Sequence, residues 1–411
     1  MRLRTTLLAS TVMATAAALA TTLPAPEHAV ADAGPAVTST EQLAPGVTLE
    51  SFTTTSASGQ MVGELLAVDL NNPHISVGLL HPPSVTQDQR VSVMADAQDA
   101  IAGVNGDFFN NAETHAGVTP TGSSDGPEIA DRTDLKANVP NGQRFGPGLP
   151  EGTSTNDVIG VGVDGVARMA ALTLQGTVKY GPNTLPLSGL NQYAIPVGGI
   201  GAFTSDWGSM SRERAVCGTD TVRAAACSTD VEEVTVQDGV VVAASDTLGA
   251  GQIPADERVL VGREAGADAL RALAIGQHVT VHYRLVPDVD VPFSFATGGF
   301  PILHDGAPLA RLDAKTAAVR TGAGFSADGR ELYLVAVQPA PGVSGGLTIA
   351  DLAALLQQFG AANGVNLDGG GSTTLVARDP GASTVTVRNH PTDSSGERLV
   401  ANGIGIFVKK S

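Results

Sequence analysis

Three consecutive glycines, Gly369, Gly370 and Gly371, stand between Asn366-Leu367-Asp368 and the hydroxyl run Ser372-Thr373-Thr374. Ordering glycine carries a high backbone-entropy cost, so a fixed triplet implies positive φ or the close approach of another group. Successive amides in such a loop can converge on an anion, with the neighbouring hydroxyls as extra donors. A tight turn or bulge is the plain alternative, but the bracketing Asn366, Asp368 and hydroxyls favour the anion site. It is not a nucleotide P-loop, because the Gly-Lys-Ser/Thr ending is missing. Arg320-Thr321, just ahead of Gly322 and Gly324, supplies a guanidinium able to grip a phosphate through two parallel hydrogen bonds, with a surface salt bridge as its ordinary alternative. Asn105-Gly106-Asp107 precedes Phe108 and Phe109. There Asn105 can position a sugar hydroxyl and Asp107 can act as acid, base or metal ligand, although Asn-Gly and Gly-Asp are also common turn dipeptides. Taken singly, Thr297 to Phe300, His304, Asn389, Asp393 and Arg398 read as loop or core residues. No His/Cys/Asp cluster has zinc spacing, and no Gly-x-Ser-x-Gly elbow occurs.

These groups need elements to hold them. Glu331 to Gln338 reads as an apolar strand, and Thr348 with Asp351 forms a capping-box pattern that opens a helix with Ile349, Leu352, Leu355, Leu356 and Phe359 on one face. Gly360 sits where a helix C-terminal cap belongs. Gly364 to Leu367 forms the next strand and runs into the triplet, so strand, helix and strand predict a parallel pair joined by a right-handed crossover. Gln338 and Asp368 then share the strands' C-terminal edge, where sites form. Upstream, Val47 to Phe52, Val62 to Asp69, Ile75 to Leu80 and Ala102 to Val104 read as strands, and Ser92 caps a short helix through Gln98 with Val93, Met94, Ala97 and Ile101 on one side. Residues 110 to 155 are polar and rich in Gly and Pro, and read as a long functional loop or lid. Residues 158 to 290 form a strand-rich middle portion, with hairpins at Asp164-Gly165 and Asp238-Gly239, a helix between Asp256 and Ile275, and a strand from His278 to Leu285. The fold class that follows is α+β, with strand-rich mixed sheets, few helices and no solenoid or propeller repeat.

Arg2 and Arg4, the apolar stretch from Leu7 to Leu23 and the small residues Ala29-Val30-Ala31 read as a signal peptide cleaved after Ala31, with a retained membrane anchor as the rival. Residues 32 to 45 read as a flexible lead, and the folded domain as residues 46 to 411. Cys217 and Cys227, close together in an exported chain, are expected to form a disulfide. The chain has 24 Lys and Arg against 41 Asp and Glu. Such a surface repels nucleic acid and anionic membranes, so any phosphate site must be built locally.

In their order along the chain these segments resemble the phosphodiester glycosidase family. The resemblance runs from about Gly46 to Phe407 and rests on Val104 to Phe109, Gly298-Gly299 with Leu303 and Asp305-Gly306, Arg320-Thr321, Gly342 to Gly346, Asn366 to Thr374, Asn389, Arg398 and Asn402 to Gly405. It implies cleavage of the C1–O bond of a sugar-1-phosphodiester, giving free sugar and a phosphomonoester. Asp368 is then the first choice for the carboxylate facing C1 and Asp107 the second. Arg320, Thr321 and the Gly369, Gly370, Gly371 and Ser372 donors take the departing phosphate, with Asn105, Asn366, Asn389, Ser344, Thr373 and Arg398 around the substrate. The family often has Gly at position 107 and Asp-Gly-Arg where this chain has Gln338-Pro339-Ala340, which bears on substrate choice and activity. No cofactor is implied, and structural calcium is compatible with the many aspartates but has no readable ligand loop. The implied partner is a phosphorylated glycan or sugar-1-phosphodiester outside the cell or at its wall. Two other classes fit the same residues: a non-catalytic module binding phosphorylated wall glycans, and a metal-dependent phosphodiesterase cutting P–O.

Overall fold

Residues 34–409 are described by a computed structural model; the expected signal peptide lies outside the described residues. Two antiparallel sheets pack face to face. The larger has eight strands in the order Ala36–Ala44, Val47–Ser56, Gly59–Asp69, Glu331–Pro339, Arg320–Phe325, Asn363–Asn366, Phe300–His304 and Ala307–Pro308. The smaller has five: Thr386–Val387, Leu375–Ala377, Ala102–Asn105, Gly403–Val408 and Ile75–Leu80. Strand alternation explains the layering. Leu66, Val68, Leu334, Ala336, Ala323 and Val365 face the smaller sheet, where Val77, Val104, Leu375 and Ile404 meet them. On the outer side Leu65, Val335 and Val337 meet Leu352, Leu355 and Leu356 of the helix Ile349–Gln358. The helix Val91–Ala97 covers the smaller sheet in the same way, through Val91, Met94 and Ala95. Middle strands form two further sheets, one of which carries the disulfide loop closed by Cys217 and Cys227. The chain is therefore strand-rich with few helices, as its composition implied. Among the described residues no helix is long and apolar enough to cross a membrane.

The helix Ile349–Gln358 has the capping box read from sequence: Thr348 Oγ1 accepts the Asp351 amide and the Asp351 carboxylate accepts the Thr348 amide. Gly360 follows with φ of 102°. The strands before and after this helix do run parallel, but they are not neighbours. Arg320–Phe325 lies between them, antiparallel to both. That strand was hard to read because Gly322 and Gly324 take its outer positions, making room for Leu352 and Leu356.

Four other expectations are corrected. Ala36–Ala44, read as flexible lead, is an edge strand paired only with Val47–Ser56, and exposure on both faces removes the alternation that would have signalled it. The helix expected between Asp256 and Ile275 is a strand, Glu257–Arg263, followed by the short helix Ala265–Leu270. Flanked by strands on both sides, Val259 to Val261 is buried throughout, and such a run has no distinctive period. The short helix near Ser92 starts at Val91, and Val93 points outward at 47% exposure. Lastly, residues 110 to 155 are no lid over their central stretch: 121–130 are buried and lead into the hairpin Glu128–Ala130 and Thr133–Lys136.

The capping box gives a direct test. Thr348→Ala should lower the unfolding free energy by about 1 kcal/mol, within the 0.5–2 kcal/mol typical of such caps, while Thr348→Ser keeps most of it. Chemical denaturation of the three proteins measures both values.

Candidate active site

The strand Asn363–Asn366 delivers the chain to the sheet edge, and side chains from elsewhere fasten the loop that follows. Asn105 is fully buried; its Nδ2 donates to the Asp368 carbonyl at 2.6 Å, and its Oδ1 accepts the Thr321 hydroxyl at 2.8 Å and the Thr374 amide at 3.0 Å. Asn389 fastens the other end, accepting the Leu375 amide at 2.8 Å and donating to the Thr373 carbonyl at 2.9 Å. The Asp368 amide donates to the Gly106 carbonyl at 2.9 Å. Gly106 in turn lies so close to Asn402 that a Cβ would come within 2.1 Å of its Oδ1.

The glycine triplet is explained position by position. A Cβ on Gly369 would lie 2.6 Å from the Val319 carbonyl, Gly370 has φ of 61°, and a Cβ on Gly371 would lie 2.3 Å from the Arg398 guanidinium. Gly370–Ser372 forms one 3-10 turn. Its amides are largely engaged: Gly369 N binds Asp368 Oδ1, Gly370 N binds the Val319 carbonyl, and Ser372 N and Thr373 N close the turn onto Gly369 and Gly370. The open row of amides expected from sequence is not formed. What faces Asp368 is the Ser372 hydroxyl, with Arg398 Nη1 3.5 Å from that oxygen and Arg398 Nε held by Asp393 at 2.8 Å.

Burial raises the Asp368 carboxyl to about 6, against the lowering effects of the Ser372 hydroxyl, the Gly369 amide and Arg398; Asp125 adds to the rise. Behind it lies a buried polar layer. Asp125 is also raised to about 6 by burial, while hydrogen bonds from the Tyr193 hydroxyl at 2.7 Å and the Phe145 amide at 2.8 Å favour its charge. Asp107 is pushed well above the usual carboxylate range by burial and by Asp125, and its oxygens accept the Phe108 and Gly126 amides at 2.8 and 2.6 Å. Burial lowers Lys136, opposed by Glu128, Asp107 and Asp125.

The other residues singled out in the sequence fall in different places. Asp107 is 2% exposed and bonded on both oxygens, so it braces the turn behind Asp368. Arg320 and Thr321 project from opposite faces of their strand: Thr321 reaches Asn105, whereas Arg320 donates to the Leu347 carbonyl at 3.0 Å and the Thr316 carbonyl at 2.8 Å beside the helix. The cation beside Asp368 is therefore Arg398. Ser344 is exposed in the loop before Thr348, and no described contact brings it to Asp368. Asn366 is fully buried with neither amide atom partnered among the described residues, as are the hydroxyls of Thr297, Thr373 and Thr374. Asp125, Glu128, Lys136 and Tyr193 were missed, being scattered residues with no shared motif. The one group of metal-donor types found among the described residues, His115 with Cys217 and Cys227, includes the two bridged sulfurs and is not the oxygen shell calcium takes. Two hollows flank the loop. One of about 610 Å³ lies beyond Arg398 and includes Arg90 and Phe109; one of about 320 Å³ is lined by Asn389 and Gln338.

Two measurements test this arrangement. Asn389→Ala leaves the Leu375 amide and Thr373 carbonyl unpaired, so it should destabilise the protein by about 1–3 kcal/mol and speed hydrogen exchange at Leu375. The second concerns pH. Burial holds the Asp368 carboxyl at about 6 in the folded protein, above the ordinary 3.8, so the folded state binds more protons between those limits. Its contribution to stability must therefore fall as pH rises through that window. Asp368→Asn removes this share, and its stability relative to the unaltered protein should improve between pH 4 and pH 7. A difference independent of pH would contradict the raised pKa.

A family model described as phosphodiester glycosidase matches residues 230–407. No curated protein matches. Among solved structures, a hypothetical protein from Synechocystis superposes with a TM-score of 0.69 at 22% identity, covering 90% of this chain and 63% of its own. The chain thus spans less than two thirds of that structure's length. A protein of Burkholderia pseudomallei described as exported gives 0.63 at 22% identity, covering 85% and 74%. The catalytic domain of zebrafish N-acetylglucosamine-1-phosphodiester alpha-N-acetylglucosaminidase, auto-inhibited by its pro-peptide, gives 0.43 at 15% identity, covering 92% and 88%. The first two likenesses establish a shared fold. Over residues 230–407 the chain is similar to the phosphodiester glycosidase family.

Proposed function

We propose that the protein hydrolyses the C1–O bond of a sugar-1-phosphodiester outside the cytoplasm, releasing free sugar and a phosphomonoester, with Asp368 as the reacting carboxylate. The observation that carries this reading is Asp368 itself, raised to about 6 at a sheet edge and held by the Gly369 amide and the Ser372 hydroxyl beside Arg398. The Cys217–Cys227 disulfide suits an oxidising compartment.

Most glycosidases pair two carboxyl groups because a sugar alkoxide leaves poorly without a proton. A phosphomonoester departs as a stabilised anion, so one carboxylate suffices where donors await the developing charge. Arg398 and Ser372 are placed for that task, and fixed donors of this kind commonly give the largest catalytic contribution. Gly371 lets the guanidinium lie against the loop, where any Cβ would collide with it. Asp368 faces C1, as nucleophile or as base for water, and must be ionised in either role. Arg320 acts from the helix side, anchoring the Val319 segment on which Gly370 rests.

Incubation with UDP-N-acetylglucosamine and simpler sugar-1-phosphodiesters should release free sugar, and kcat/KM should rise with pH through about 6. Asp368→Asn should lower kcat about 10²–10⁴-fold. No sugar release by either protein would end this reading and favour a non-catalytic phosphoglycan-binding module.

A further inference from the structure

The inner face of the eight-stranded sheet changes character toward one end. Along it, Val47, Leu49, Leu66, Val68, Leu334 and Ala336 are buried in the core shared with the smaller sheet. Cross-strand partners share a face, and the same face continues outward through the pairs Ser51↔Glu64, Thr53↔Val62 and Val62↔Gln338. Here the roof is no longer a strand but the segment Arg388, Asn389 and His390, and beneath it lies the hollow of about 320 Å³.

Its lining is more apolar than polar, and its polar groups are not arranged for an anion. Gln338 is 6% exposed; its Oε1 accepts the His390 amide at 2.9 Å, and no acceptor among the described residues takes its Nε2 hydrogens. Glu64 takes the Ser51 hydroxyl on Oε2 at 2.9 Å and keeps Oε1 unbonded among the described residues. Burial pushes the Glu64 carboxyl up, against the lowering effects of the Ser51 hydroxyl and the Arg388 charge, so burial is only partly answered. The one guanidinium in the lining, Arg388, is paired with Asp379 and, at 3.8 Å, with Glu41, and its charge also faces Glu64, while its Nε has no partner among the described residues. Val62 and Pro341 supply apolar wall. An amide donor, a carboxylate acceptor, hydroxyls and an apolar side match a neutral molecule bearing several hydroxyls, and the carboxylate disfavours phosphate. Asn389, which lines the hollow, also fastens Thr373 in the Asp368 loop.

We propose that this hollow is a subsite for the neutral, polyhydroxylated part of the substrate, bound through Gln338 and Glu64. As a substrate subsite it rests on the glycosidase reading above; as a binding site it stands alone. Free N-acetylglucosamine, glucose, galactose, mannose, glycerol and ribitol serve as probes, each titrated into the full chain and followed by saturation-transfer NMR. At least one should bind. A pyranose response identifies the sugar as the occupant, and a glycerol or ribitol response identifies the alcohol portion. Gln338→Ala and the isosteric Glu64→Gln should each weaken binding about ten-fold, the loss of roughly one charged or buried hydrogen bond, with circular dichroism confirming the fold. In turnover, Gln338→Ala should raise KM and spare kcat. Probe binding lost in both variants supports the subsite even if no phosphodiester is hydrolysed, which would instead sink the glycosidase reading. Binding by no probe, or turnover with KM unchanged in Gln338→Ala, overturns the subsite and leaves the glycosidase reading standing.

Discussion

The side chain of Asn105 joins three segments that are far apart in sequence: its own strand, the strand beginning at Arg320, and both ends of the loop from Asp368 to Thr374. A carboxamide presents the same donor and acceptor as a peptide group, so it can complete a sheet edge where no strand is available. Asn389 repeats the device one residue further along. Between these two anchors the loop is held by the Asp368 carboxylate on the Gly369 amide and by its own 3-10 turn. Gly369 meets the Val319 carbonyl at a distance that leaves no room for a Cβ, and Gly371 packs against the Arg398 guanidinium.

That economy at the loop has a counterpart behind it. Asp107, Asp125, Glu128 and Lys136 are all buried within one polar layer, with Tyr193 and Asn402 completing the hydrogen bonds. Burying charges is unfavourable unless they are paired and bonded, and here most of the carboxylate oxygens are. The layer raises Asp368 at a distance through Asp125 and keeps the turn at Gly106 rigid through Asp107. At the same end of the sheet, Gln338 and Glu64 turn inward without full partners among the described residues.

Much of this was legible in the sequence wherever a local rule decides the outcome. The helix after Thr348 has its capping box because Thr348 and Asp351 are three residues apart, and the strand that runs into Asp368 and the glycines was legible from its apolar run. Arg320 was misread. Whether a strand residue faces the helix or the facing sheet depends on the register of its neighbours, and the glycine-rich strand Arg320–Phe325 gives no alternation from which to infer it. The loop amides were credited to a ligand because sequence cannot show that Val319, Asp368 and the turn itself engage them. The buried layer was invisible for a related reason: Asp125 and Lys136 lie in a Gly/Pro-rich stretch whose composition resembles surface loop, and only their tertiary partners make them interior.

The central claim is about which bond breaks. A loop that stabilises a departing phosphomonoester, with a carboxylate facing C1, cleaves carbon from oxygen; a metal-dependent phosphodiesterase would cleave phosphorus from oxygen. Hydrolysis of a sugar-1-phosphodiester in oxygen-18 water, followed by mass spectrometry of both products, separates the two. Label in the free sugar and none in the phosphomonoester is the predicted result, and label in the phosphate would contradict it.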